Sequence, residues 1–172
     1  YAQEDYENAY SALTIDERSI RQKWNDLLDG ATPLTDLVLY NMYGTSLTDQ
    51  LANDTFKSNL ILYRSAMKAG YLGEARTGFD ELLADERLVN FKSLQFRILH
   101  ERSQLALLDG DEQLAETLMS QAISLLETQR AQLKKDSYKL GFVGDKLEIY
   151  NDMIGLLYGQ SRYAEAFEYA ER

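Results

Sequence analysis

Apolar residues recur along this chain at intervals of three and four, the period of a helix that buries one face. Phe56, Leu60, Tyr63 and Met67 form one such stripe, in a segment predicted to run from about residue 47 to 69. Gly70 closes it, and a partner helix is expected over residues 71–84. Residues 88–109 carry Phe91, Leu94, Ile98, Leu105 and Leu108 on one side. Gly110 then takes the left-handed position that ends a helix. Residues 111–135 return with Leu114, Leu118, Ala122, Leu125 and Leu126, and 136–144 read as a looser connection. Asp145 caps a further segment through Tyr158, with Leu147, Tyr150, Met153, Ile154 and Leu157, and its partner opens near Tyr163. The first fifty residues are less regular. Tyr6 and Tyr10 share a face, and 14–17 and 46–49 read as capping boxes. Ile20, Trp24, Leu27 and Leu28 form a stripe that stops at Gly30, and Thr32-Pro33 opens a helix carrying Leu34, Leu37, Val38 and Met42 as far as Gly44. Sustained apolar–polar alternation and Asn-Gly hairpin turns are both missing, so the expected class is all-α.

One phrase is written three times: AGYLGEARTGFDELL from Ala69, DGDEQLAETLMSQAI from Asp109 and QSRYAEAFEYAER from Gln160. In each, a turn is followed by an alanine inside a new helix (Ala75, Ala115, Ala166), and four residues later by Phe79, Met119 or Ala170. Two helices approach closely only where one lacks a bulky side chain, so the phrase marks a helical hairpin. Gly70, Gly110 and Tyr163 complete the expected packing set. Repeated hairpins predict an α-solenoid of antiparallel helix pairs. From Ala75 to Ala115 is 40 residues and from Ala115 to Ala166 is 51. Both exceed the about 34 residues of a tetratricopeptide repeat, so the array reads as irregular, long-helix and tetratricopeptide-like. The expected organisation is a single domain over 1–172: degenerate capping helices at 1–54, then hairpins at 55–86, 87–135 and 138–172, the last truncated.

Composition narrows the function. The 172 residues hold 28 acidic and 18 basic side chains, a formal charge of −10. Such a surface repels phosphate backbones, and basic stretches are as short as Lys134-Lys135, which argues against nucleic-acid binding. With no cysteine, thiolate metal sites and thiol nucleophiles are excluded. No apolar run approaches the length of a membrane span, and no signal peptide is present. The chain begins at Tyr1 and stops inside a helical pattern, so it reads as a fragment or processed form, with removal of a leader left open. These features weakly favour a cytoplasmic location.

Candidate chemistry is sparse. The first helix of each hairpin should line a concave groove. There Arg64, and before it Lys57, lie on one helix; Arg97, His100, Glu101 and Gln104 form a polar ridge on the next; Asn151, Asp152 and Tyr158 lie on the third. Residues three or four apart share a face. The ridge reads either as a groove for an extended or helical peptide, with Arg64, Arg97 and Asn151 holding its backbone or a carboxylate, or as a solvated face with intrahelical ion pairs. His100-Glu101 suggests a metal or acid–base pair, but one imidazole without a second or a thiolate is a poor ligand set. The acidic cluster at Asp80-Glu81 and Asp85-Glu86 lacks the rhythm of a calcium loop. No metal, cofactor or catalytic constellation is expected, and the fragment is read as non-enzymatic.

The last third carries a more specific likeness. Arg130 lies in SQAISLLETQRAQL, and Phe142, Asp145, Lys146 and Tyr150 lead into Tyr163–Ala166 and Ala170–Arg172. This stretch resembles the tetratricopeptide segment that precedes the caspase-like CHAT domain in bacterial TPR–CHAT proteins. The resemblance implies a regulatory module that binds a protein or peptide and controls a downstream cysteine protease of the same chain. It carries over no catalytic residue. The alternative is a free-standing tetratricopeptide adaptor or assembly scaffold. The open last hairpin also presents an apolar face through which two fragments could pair as a homodimer.

Overall fold

The structure, a computed structural model, describes residues 5–12, 14, 47–132 and 147–172. Every regular element among them is helical. The elements are α1 (Leu47–Ala69), α2 (Leu72–Ala84), a 3-10 helix (Glu86–Asn90), α3 (Lys92–Leu108), α4 (Glu112–Gln132), α5 (Leu147–Gly159) and α6 (Tyr163–Ala170). The expected helices between residues 15 and 46 and the connection at 136–144 lie outside the described residues. The chain divides into two compact units, Tyr1–Phe91 and Lys92–Arg172.

In the first unit α1 and α2 pack as a hairpin. Of the stripe read from the sequence, Phe56, Leu60 and Met67 are buried and Tyr63 is half-buried; Ala66, Ala75, Phe79 and Leu82 join them in the core. Burying a side chain of the size of Phe or Leu contributes about 1.5–3 kcal/mol. The closest approach lies at Gly78, where an added Cβ would run into the ring of Tyr63. Tyr63 then meets Phe79 edge-on at 6.0 Å. Residues 5–12 are helical, and Tyr10 stacks on Tyr71 at 4.9 Å while its hydroxyl donates to Glu74. The Thr14 hydroxyl donates to the carbonyls of Tyr10 and Ser11, and the rest of the capping box read there lies outside the described residues.

The expected continuous helix over 88–109 is divided. Asp85 accepts from the Arg87 amide at 2.9 Å and caps the short 3-10 helix, whose Leu88 is buried in the first unit. Phe91 leaves helical geometry (φ −113, ψ 62) and its ring reaches Phe56 at 5.6 Å. The α-helix starts only at Lys92.

In the second unit α3 packs on α4, α4 on α5, and α5 on α6. Its core holds Ile98, Leu105, Met119, Ile123, Ile149, Met153 and Leu157. α3 buries more than one face: besides its apolar residues, Arg102 and Ser103 are buried. Leu108, expected on the apolar side, is 64% exposed at the last position of the helix.

The three phrases fold into three copies of one turn. Gly70 N–H donates to Met67 O and Tyr71 N–H to Ala66 O; Gly110 and Asp111 repeat the pair onto Leu107 and Ala106; Ser161 and Arg162 repeat it onto Tyr158 and Leu157. This crossed pair satisfies carbonyls that the helix end leaves open, and it needs a left-handed residue at its centre. Gly70 (φ 94) and Gly110 (φ 76) adopt that conformation freely, whereas the third turn uses Ser161 (φ 62). Each new helix then starts with the same bond, from Ala75 to Tyr71, Ala115 to Asp111 and Ala166 to Arg162. All three alanines are buried, at 0%, 0% and 5% exposure. Phe79 and Met119 are buried four residues on, but Ala170 is exposed as the last residue of α6, and Tyr163 is exposed as its first.

Two substitutions probe this arrangement. Ala115→Leu should force α3 and α4 apart and cost about 1–3 kcal/mol by overpacking; an unchanged denaturation midpoint would show that no helix crosses there. Ser161→Gly should stabilise by about 0.5–1 kcal/mol, because serine in the left-handed region carries strain that glycine lacks. Gly110→Ala should show the opposite sign, a loss of stability in urea unfolding.

Candidate functional site

The polar ridge of α3 is a helix face with two distinct parts. Arg97 is exposed, while His100, Glu101 and Gln104 are half-buried. His100 and Gln104, one turn apart, converge on a single acceptor of α5: His100 Nε2 lies 2.7 Å and the Gln104 amide nitrogen 2.8 Å from the same Asp152 oxygen, Oδ2. The ring of His100 is held from the other side by Phe96, stacked one turn earlier at 6.2 Å. Its backbone carbonyl accepts the hydroxyl of Ser103 at 2.7 Å. Only 14% of the His100 side chain and 28% of the Asp152 side chain reach solvent, so the contact ties α3 to α5 in a partly dehydrated seam. The sequence suggested His100 with Glu101; the structure pairs His100 with Asp152.

A second contact joins α4 to α5. Tyr150, buried at 8% exposure, donates its hydroxyl to Glu127 at 2.7 Å. Burial, reinforced by the nearby carboxylate, pushes the phenol well above its ordinary value of 10.0. Arg130, one turn beyond Glu127, donates to the backbone carbonyl of Arg172 at 2.9 Å.

The third contact is at the turn between α5 and α6. The Arg162 guanidinium grips Glu165 with two bonds of 2.7 and 2.6 Å and reaches Glu116 of α4 at 2.6 Å. Gln160 donates to Glu112, on the first turn of α4, at 2.9 Å. The hydrogen bonds to Glu165 and Glu116 raise the Arg162 pKa, and Arg162 in turn holds the Glu165 carboxyl below the usual range. The turn of one hairpin is thereby seated on the start of the preceding one.

The remaining predicted residues are not drawn together. Asn151 is exposed next to Asp152, and Tyr158 is 65% exposed, meeting Tyr163 edge-on at 5.0 Å. Arg64 is exposed on α1, within the first unit. Phe142, Asp145 and Lys146 lie outside the described residues. The sequence reading missed Glu127, Glu112, Glu116 and Arg162 as contact residues. A signal for Glu112, Glu116 and Arg162 existed in the period, but not for Glu127, which lies 23 residues from Tyr150. The pairs His100–Asp152, Gln104–Asp152, Gln160–Glu112 and Arg162–Glu116 are 52, 48, 48 and 46 residues apart. All lie close to the 51 residues that separate the repeated turns, because equivalent helices of successive hairpins lie side by side.

Chemically, the seam offers one imidazole and one carboxylate, and Ser103 is turned to the His100 carbonyl instead of its ring. Among the described residues no group of three or more His, Cys, Asp or Glu side chains could hold a metal ion, and no helix is long and apolar enough to cross a membrane. Comparison with protein-family models, curated proteins and solved structures returns no match.

Asp152→Ala removes the acceptor shared by two partly buried donors. The expected loss is about 1–3 kcal/mol, with a coupling of about 0.5–1.5 kcal/mol to His100→Ala in a double-mutant cycle. Zero coupling would mean that the pair holds nothing together. Tyr150 makes stability depend on alkaline pH. The unfolded phenol ionises first, so the unfolded chain binds fewer protons and stability falls as pH rises above about 10. Tyr150→Phe should flatten that part of the pH–stability curve.

Proposed function

We propose that this chain is a non-catalytic, protein- or peptide-binding regulatory module built as an α-solenoid of tetratricopeptide-like hairpins. The observation that carries the proposal is the turn made three times with the same hydrogen bonds and the same buried alanine. Identical joints between helix pairs are how a repeat array presents a regular surface without a catalytic pocket. In the second unit that surface is the face of α3 and α5. Its helices are fixed by the His100–Gln104–Asp152 seam, while Arg97, one turn before the seam, and Asn151, next to Asp152, are exposed. Arg97 suits a carboxylate of a ligand and Asn151 a peptide backbone.

The residues that resemble a TPR–CHAT segment support placing this module before a caspase-like protease domain. Of these, Arg130, Tyr150 and Arg172 join α4, α5 and the residues after α6 through side chains and backbone. A ligand on the α3–α5 face would act through these joints on whatever follows them.

The reading frame beyond Arg172 tests the placement. Several hundred further residues with a separated His and Cys in an α/β pattern support a protease regulator; a stop codon within one helix length leaves an adaptor or scaffold. The ligand face is tested on an array of acidic peptides. Arg97→Glu should weaken any peptide so found at least about ten-fold, the scale of one charge-assisted contact, with melting unchanged. Equal affinity for both proteins removes Arg97 from the site.

A further inference from the structure

His100 has two ring nitrogens, and the seam uses one of them. Nε2 lies 2.7 Å from Asp152 Oδ2, an oxygen that also accepts the Gln104 amide at 2.8 Å. A carboxylate oxygen offers lone pairs alone, so Nε2 carries the ring proton and the neutral imidazole keeps a bare lone pair on Nδ1. Nδ1 has no hydrogen-bond partner among the described residues, and it is not one of the buried polar atoms left unsatisfied. That edge of the ring therefore reaches solvent, within the 14% of the side chain that is exposed. Phe96 holds the plane of the ring, and Gln104 holds the carboxylate that orients it. The result is a hydrogen-bond acceptor fixed in position on the α3–α5 face, three residues after the exposed Arg97.

The surroundings of this acceptor select its donor. Asp152 stands directly behind the ring, and Glu148, exposed one turn earlier on α5, shares the helix face of Asp152. Both carboxylates repel anionic groups and favour a cationic donor. A guanidinium is a planar fork that seeks two acceptors side by side, as Arg162 finds on Glu165. An ammonium is a compact point charge that a single lone pair can receive. Arg97, one turn before His100, offers the opposite charge on the same face of α3. We propose that the α3–α5 face binds a peptide carrying an acidic residue and, one helical turn away, a lysine whose ammonium donates to His100 Nδ1. This rests on the reading of that face as the ligand face, and it makes His100 a ligand contact as well as a member of the seam.

The chain has a single histidine, so one pair of ring nitrogen signals reports on the site. In nitrogen-15 spectra at about pH 8, Nε2 should appear as the protonated nitrogen and Nδ1 as the bare one; the reverse assignment overturns the proposal. The probe is the helical peptide acetyl-(Glu-Ala-Ala-Lys)4-amide. It should move the Nδ1 signal saturably, and replacing its lysines by glutamines should weaken binding at least about ten-fold, the scale of one charge-assisted hydrogen bond. In His100→Phe, which keeps a ring against Phe96, the two peptides should bind alike. No binding of the lysine peptide up to about 10 mM overturns the proposal. So does a preference for lysine that survives His100→Phe. Equal binding of both peptides to the unaltered protein, lost in Arg97→Glu, also overturns it while leaving the carboxylate contact of Arg97 in place, so the two readings fail separately.

Discussion

A helix that stops inside a packed structure must dispose of its last carbonyl groups, and α1, α3 and α5 dispose of them in the same way. Two crossed backbone bonds, anchored on a left-handed residue, reverse the chain within two or three residues. So short a reversal forces the next helix back along the previous one. In the first turn of that helix Ala75, Ala115 and Ala166 are buried. The hairpins, their cores and the surfaces they expose follow from that backbone constraint.

Side chains complete what the turns begin, at longer range. Within the second unit three polar contacts lie along the hairpins: the Arg162–Glu116 contact at the turns, the His100–Gln104–Asp152 seam along α3 and α5, and the Tyr150–Glu127 contact between α4 and α5. Each connects helices of successive hairpins. A bond inside one hairpin would stabilise it without fixing its neighbour; these fix the register between neighbours. A surface built across α3 and α5 depends on that register more than on either helix alone.

What was legible in the sequence was local. Gly70 and Gly110 end helices for reasons confined to their own backbone, and the buried alanines follow them at a constant distance, so these turns could be read directly. The start of α3 could not. Phe91 fits the helical period as well as Leu88 does, and only the ring of Phe56, 35 positions earlier, draws it out of the helix. The burial of Arg102 was equally hidden, since a charged residue on a helix reads as exposed until packing on several sides is known. Among the site residues, Arg97 and Asn151 were placed on an exposed face by spacing alone. The partner of His100 was not, because Glu101 is adjacent in sequence while Asp152 is adjacent only through the repeat.

Ser161 makes the third turn unlike the other two. Where glycine lets the backbone reverse at no steric cost, serine holds the left-handed conformation against its own Cβ. The same turn is the one clasped by Arg162, Glu165, Glu116 and Gln160. Besides the backbone bonds that all three turns share, this one therefore carries ionic contacts near the surface, which dissolved ions screen. Raising the ionic strength would loosen the α5–α6 turn, and amide exchange at Ser161 and Arg162 would quicken. Salt tunes this joint of the chain.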